Sequence, residues 1–416
     1  MGALSSLDDA RTAAAALGGA ARTTSERVPI VESVGRIASD DVVAGGALPP
    51  FASSAMDGWA VRAADLAGAT ADRPVVLRGT GESAAGRPSA VAVEPGTAMR
   101  ISTGARIPDG ADAVVRVEET SVADGGVAIG VAVRPGRDVR RAGEDVAHAD
   151  VAVRAGERLG PGHVALLAGL GVTAVDVRAR PRTVVVITGD EVVPGGAGAG
   201  GLPDGRIHDV GGPALAALLA AAGARVVAVR HVGDDAGATT AALADIDADL
   251  VVTCGGMSVG EHDHVRRALA ALGADEHVIG LELQPGRPTW LGALPGPAGT
   301  RPVLALPGNP GAAITVATLL VEPLLRAMAG GDPATPLRAR LLADTHGDAR
   351  RVRALRVALG EDADGRRTAR VLEGQQPHRL ASMPATVAYA LIPAADGVLA
   401  AGTVVEVVPL PGAGRD

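Results

Sequence analysis

Residues 249–266 read DLVVTCGGMSVGEHDHVR, and the order of residue types along this stretch decides the fold. Residues 250–253 are a short apolar, β-branched run, the composition of a buried strand. Gly255, Gly256, Ser258 and Gly260 then make a loop, and residues 262–272 carry the pattern of a helix. Glycines let backbone N–H groups come close to a ligand, and a helix N-terminus favours negative charge. Asp263 falls in the first turn of that helix, where a carboxylate either caps the helix or faces the site. A strand, a glycine loop and a helix in this order suit a phosphate.

Two nearby stretches repeat the arrangement. Residues 183–187 form an apolar run ending in Thr188, Gly189, Asp190 and Glu191. Residues 302–306 form another, ending in Pro307, Gly308, Asn309, Pro310 and Gly311 before the apolar helix 312–328. Between them Gly211, Gly212 and Pro213 open a helix over 214–222, and 225–230 is a further strand. Strands alternating with helices of this length imply a doubly wound parallel sheet covered on both faces. Ligands of such sheets bind beyond the carboxyl ends of the strands, where all three loops should lie.

Composition narrows the function classes. A chain of 416 residues is too long for one ordinary core. It is 47% apolar but 1% aromatic, so its cores must be built from alanine, valine and leucine. All 39 basic residues are arginine, which excludes both a P-loop lysine and a Schiff-base lysine. A net charge of −8 argues against nucleic acid as a partner. The single cysteine, Cys254, excludes an internal disulfide and reads as a small core residue. No apolar run reaches transmembrane length and the N-terminus lacks a signal-peptide pattern, so no membrane and a cytoplasmic location are expected.

Domain organisation follows from shifts in pattern. Residues 46–141 change to short β-type runs (74–77, 90–93, 98–101, 113–118, 127–133) separated by Gly, Pro and Asp, predicting an inserted β-rich domain. Residues 1–45 plus 142–180 form a discontinuous N-terminal linking domain, 181–330 the α/β domain, and 331–416 a small C-terminal β-barrel.

Single motifs outside the α/β domain have ordinary readings: Asp57-Gly58 is a turn signal, and Ser102-Thr103-Gly104 an ordinary loop after a strand. Glu144 and Asp145 are solvated charge in a glycine turn, and Asp209 is a helix cap. Asp190, Glu191, Asp234, Asp235 and Asp263 nonetheless all fall at the carboxyl edge of the expected sheet. Clustered carboxylates beside phosphate-holding loops call for a hard cation, and Mg²⁺ takes such oxygen ligands.

Taken in order, SAMDGWAVR, RISTGARIPDGADAVVRVEE, RRAGEDV, ITGDEV, Asp234-Asp235, TCGGMSVGEHD, QPGRP and ALPGNPGAA resemble the molybdopterin molybdenumtransferases. These are the metal-insertion enzymes of molybdenum-cofactor synthesis, similar also to the gephyrin E domain. The resemblance extends to about Val408. It implies a homodimer of four-domain subunits, each active site lying between the α/β domain of one subunit and the β-rich domain of the other. It also implies that adenylylated molybdopterin and molybdate are converted to molybdenum cofactor with release of AMP, assisted by Mg²⁺. Other proteins of cofactor synthesis and apo-molybdoenzymes are the implied partners.

Asp57, Thr103, Asp145, Glu191, Asp235 and Asp263 match positions with catalytic roles, Glu191 and Asp235 also serving the metal. Gly255, Gly256, Ser258, Gly260, Gly308 and Asn309 match the pterin- and phosphate-holding loops, with Arg287 the nearby cation. The chain departs from the pattern at Gly280 and Gln284, where similar enzymes often carry lysines, and at Ile187, Ala52-Ser53 and Val210-Gly211. Two rival readings are a non-catalytic or regulatory paralogue that binds a pterin nucleotide or a partner protein, and an unrelated Mg²⁺-dependent phosphate-ester enzyme.

Overall fold

The computed structural model describes residues 4–195, 202–257, 264–296, 299–331 and 334–413. They fall into two compact units, Met1–Glu26 with Val177–Asp416, and Arg27–Asp176.

The larger unit is organised by a six-stranded sheet of β1 (Arg182–Thr188), β2 (Arg225–Val232), β3 (Leu250–Cys254), β4 (Asp275–Ile279), β5 (Trp290–Gly296) and β6 (Gly299–Leu306). Their spatial order is β2-β1-β3-β6-β5-β4. The first four run parallel, as the apolar runs predict, while β5 and β4 add an antiparallel edge that the sequence patterning did not reveal. Alternation along the strands gives the sheet two buried faces. Val185, Ile187, Val252 and Leu304 point to one cluster; Val184, Val186, Val251 and Val303 point to the other. Trp290 is fully buried in β5 and its Nε1–H donates to Glu276 at 2.7 Å.

Five helices cover these faces: α1 (Leu7–Ala20), α2 (Gly211–Ala221), α3 (Ala236–Ala244), α4 (His264–Ala271) and α5 (Pro310–Met328). α1, expected in the linking domain, belongs instead to this unit. Its Leu7, Ala10, Ala14 and Leu17 fall on one helical face and join the same buried cluster as α5. The expectation that no apolar segment reaches spanning length also needs correction. α5 has 19 residues and the composition of a membrane span, with 78% of its most apolar window buried inside the protein. It is apolar over most of its surface because most of it is packed; Glu322 and Arg326, partly exposed, pair with each other near its C-terminus.

Beyond it, β7 (Leu337–Leu341), β8 (Val352–Glu361), β9 (Arg367–Val371), β10 (Ala388–Ile392) and β11 (Val404–Pro409) pair in the order β8-β9-β7-β11-β10. β10 pairs back onto β8, which closes the five strands into a barrel without free edges.

The smaller unit holds a six-stranded mixed sheet in the order Ala113–Arg116, Gly58–Val61, Thr97–Ile101, Val75–Ser83, Gly126–Ile129, Thr120–Ala123. Val61, Ala98 and Val115 face one core, and Ala60, Met99 and Val114 the other. Trp59, half-buried, packs against the first. Residues 90–93, expected as a strand, form none; there Val93 N–H donates to the Asp109 carbonyl and the Glu94–Thr97 turn follows.

Candidate active site

Strand register fixes where the site lies. Ile187 of β1 stands beside Cys254 of β3, and Cys254 beside Leu306 of β6. Thr188-Gly189, Gly255-Gly256 and Pro307-Gly308 therefore leave the sheet abreast, at its carboxyl edge. The chain runs from β1 outward to β2 and then crosses back over β1 to β3. Loops diverge where the strand order reverses in this way, leaving a crevice between them. A cavity of about 470 Å³ opens there, lined by Thr188, Gly255, Gly308 and their neighbours.

Much of this wall is backbone. Gly255 has a φ of 100°, and a Cβ on it would lie 2.5 Å from Thr188 Oγ1 and 2.7 Å from the Thr188 carbonyl oxygen. Any side chain there forces the first two loops apart. α2 and α5 both begin at the cavity, where Gly211 and Pro310 line it. Asn309 precedes α5 without a side-chain cap, leaving first-turn N–H groups for a ligand. Two helix N-termini and a glycine-lined wall make a setting for anions.

The acidic groups divide between wall and scaffold. Glu191, Asp209 and Asp234 line the cavity. Asp190 N–H donates to Asp234 Oδ2 and Asp234 N–H donates to Asp190 Oδ1, both at 3.2 Å, so the loops after β1 and β2 hold each other. Asp235 caps α3 instead, its Oδ1 accepting from Ala238 N–H at 2.6 Å. Of this adjacent pair it is Asp234 that faces the cavity. Asp209, expected as a helix cap, stands one residue before the N-cap Val210 and still serves both helix and wall: Oδ1 accepts from Gly212 N–H at 2.8 Å, and Oδ2 accepts from His231 Nε2 at 2.9 Å.

Cys254, at the cavity floor, is buried, and its thiol donates to the Pro307 carbonyl at 3.3 Å. Burial, reinforced by Asp209, pushes the thiol up to about 12, so it packs as a core residue.

Of the residues singled out in the sequence, Glu191, Gly255, Gly256, Gly308 and Asn309 come together on this wall. Arg287 is exposed and outside the lining; its carbonyl accepts from Leu281 N–H, and its neighbour Pro288 lines the cavity. Ser258, Gly260 and Asp263 lie outside the described residues. In the smaller unit Asp57 Oδ1 accepts from Thr103 N–H at 2.7 Å, both residues being exposed. Asp145 is exposed in the same unit, its N–H donating to the Leu48 carbonyl. Among the described residues no arginine lines the cavity, and no three His, Cys, Asp or Glu side chains converge as a preformed metal cage.

Sequence reasoning missed His208 on the wall and His231 behind it, while Pro288, the end of the QPGRP motif, does reach the wall. Asp209-Val210-Gly211 carried a signal for the cap but none for the cavity. Nothing in the β2 pattern marks His231.

Comparison with known proteins bears on what such a cavity serves. The MoeA N-terminal region (domain I and II) matches residues 5–171, a probable molybdopterin binding domain matches 184–327, and the MoeA C-terminal region (domain IV) matches 338–410. Molybdopterin molybdenumtransferase 2 of Mycobacterium tuberculosis is 36% identical over 76% of this chain and 78% of its own length. The molybdopterin molybdenumtransferase of Synechococcus elongatus is 32% identical over 92% of this chain and 94% of its own. The molybdopterin biosynthesis MoeA protein of Pyrococcus horikosii superposes with a TM-score of 0.82 at 31% identity, covering 99% of this chain and all of that one. A relative more than 30% identical along nearly its whole length, together with family models that match this chain in series, leaves one assignment: this chain belongs to the molybdopterin molybdenumtransferase family.

Proposed function

We propose that this protein inserts molybdenum from molybdate into adenylylated molybdopterin, forming molybdenum cofactor and releasing AMP. One observation carries the reading: in a chain of this family, three glycine loops and two helix N-termini meet at a switch-point cavity of about 470 Å³. That volume and chemistry suit a pterin carrying phosphate.

Backbone donors at Gly255-Gly256 and the first turns of α2 and α5 hold the phosphates and offset the charge that grows as the anhydride breaks. Carboxyl groups on the wall relay protons to the oxide leaving molybdate. Holding both anions in one pocket contributes most of the acceleration.

Mg²⁺ belongs to the proposal, and the donors fit it. Mg²⁺ is usually held by one or two carboxylates together with substrate phosphates, and Glu191 and Asp234 share the wall where phosphates would sit. Once bound it would offset phosphate charge. Asp235 could join only by giving up its cap. A homodimer acting in the cytoplasm, with Asp57, Thr103, Asp145 and Asp263 as catalytic groups and Ser258, Gly260 and Arg287 as substrate contacts, completes the reading.

The test is purified protein with adenylylated molybdopterin, Mg²⁺ and molybdate. Molybdate-dependent AMP release together with reconstitution of an apo-molybdoenzyme is expected. Tight binding without turnover would mean a binding paralogue, and molybdate-independent cleavage of other nucleotides a different phosphate-ester enzyme. Light scattering reads the dimer.

A further inference from the structure

One wall of the cavity is tied to the edge of the sheet by a pair of side chains, Asp209 and His231. Asp209 has a side chain only 3% exposed, yet the residue lines the cavity. Both of its carboxylate oxygens are engaged. Oδ1 accepts from Gly212 N–H at 2.8 Å, which fixes the start of α2, and Oδ2 accepts from His231 Nε2 at 2.9 Å. His231 lies on β2, the edge strand, and does not itself line the cavity.

Gly212 shows how closely the pair is fitted. A Cβ there would sit 2.3 Å from Asp209 Oδ2 and 2.9 Å from Val229 Cγ1, so the carboxylate occupies the space a side chain would need. Ile207, His208, Asp209, Val210 and Gly211 are all wall residues, and they run continuously into this clamp. Without the histidine, Oδ2 loses both its partner and its cover, and the carboxylate must turn or draw in solvent. Either response shifts the N-terminus of α2, one of the two helix ends that face the ligand.

We infer that His231 is a positioning residue of the active site: through Asp209 it holds the 207–211 wall and the α2 N-terminus in register with the glycine loops, and so sets affinity for the anionic pterin. The inference rests on the function proposed above, because its kinetic arm reads turnover of that substrate.

The experiment uses the full chain with adenylylated molybdopterin, Mg²⁺ and molybdate, comparing wild type with His231→Leu, which removes the donor, and His231→Gln, which restores an N–H. Losing a hydrogen bond to a charged group corresponds to about a tenfold rise in KM for adenylylated molybdopterin, with kcat within about twofold. His231→Gln should return KM to near the wild-type value. Amide exchange, followed by mass spectrometry on a peptide over residues 207–220, supplies a readout without substrate. It should quicken roughly tenfold in His231→Leu and recover in His231→Gln. Faster exchange with KM unmoved would overturn the link to the site, and a wild-type pattern in both readouts would overturn the clamp itself. A raised KM that glutamine fails to rescue would also count against positioning through a hydrogen bond. Absence of turnover in wild type would defeat the proposed function and this inference together. Active wild type with an unaltered His231→Leu defeats the inference alone.

Discussion

The α/β unit and the β-rich unit present their candidate residues by different means. In the first, a wall of backbone is set by register: Ile187, Cys254 and Leu306 stand side by side, so the loops that follow them cannot avoid one another. In the second, exposed side chains sit on turns, and one bond of 2.7 Å from Thr103 N–H to Asp57 joins two stretches 46 residues apart. A site made of backbone should fail by distortion, taking stability with it. A site made of exposed side chains should lose chemistry and keep its fold.

The harshest way to press that contrast is Gly255→Val. Its φ of 100° and the 2.5 Å approach to Thr188 Oγ1 leave no room for a side chain. The expected outcome is abolished AMP release together with a stability loss of about 3 kcal/mol, read from urea unfolding. Retained activity would mean that the loops are not the wall. Next in size is the reactivity of Cys254. With its thiol pushed up to about 12, labelling by a maleimide at pH 8 should be at least roughly a thousandfold slower than for a free thiol, and should become fast on unfolding in urea. Rapid labelling of the native protein would show the cavity floor to be open.

Asp57→Ala tests the other unit. Turnover should fall about a hundredfold with an unmoved urea midpoint. Asp57→Asn, which keeps an acceptor for Thr103 N–H, separates orientation from charge. A smaller effect distinguishes the adjacent pair at the end of β2. Asp235→Ala should cost about 1 kcal/mol of stability as a lost helix cap. Asp234→Ala should weaken turnover and move the urea midpoint less than Asp235→Ala, because it gives up only the long 3.2 Å bond from Asp190 N–H. The reverse result would return the wall position to Asp235.

The smallest effect is a pH dependence that one ion pair lends to the β-rich unit. There Arg116, bonded to both carboxylate oxygens of Asp138 at 2.9 and 3.0 Å, holds that carboxyl below its ordinary range. Because the folded value is depressed, the unfolded chain takes up the proton first. The stabilisation is therefore present above the ordinary aspartate range and is lost as pH falls through and below about 4. Asp138→Asn should make the stability–pH curve shallower in that window, as measured by urea midpoints from pH 5 to pH 2.5; Asp247 and Asp348, also held below the ordinary range by arginine side chains and backbone N–H groups, keep a remaining slope.

How far the sequence could be read follows the same division. Residues 249–257 announce strand and glycine loop through composition alone, because a strand buried on both faces leaves little room for polar residues; Thr253 is the one such residue in β3. Topology then does the rest, since parallel strands with helical crossovers bring their carboxyl ends together. Other features depend on partners distant in sequence. α1 reads as an alanine-rich helix anywhere; only the apolar surface of α5 gives it a home in the larger unit. β4 and β5 are separated by a stretch holding Gly280, Pro285 and Gly286, and neither shows an alternation that would mark an antiparallel edge. Asp234 and Asp235 are indistinguishable as letters, and α3's need for a cap separates their roles. His231 acquires meaning only once Asp209 is beside it.

Each unit happens to contain one of the chain's 2 tryptophans, Trp290 sealed in β5 against Glu276 and Trp59 half-exposed to solvent. Intrinsic emission therefore carries two separable reporters, one dry and hydrogen-bonded, one partly wet. Replacing either by phenylalanine leaves a protein whose remaining signal follows a single unit. The order in which the two halves open and close can thus be watched without attaching a dye.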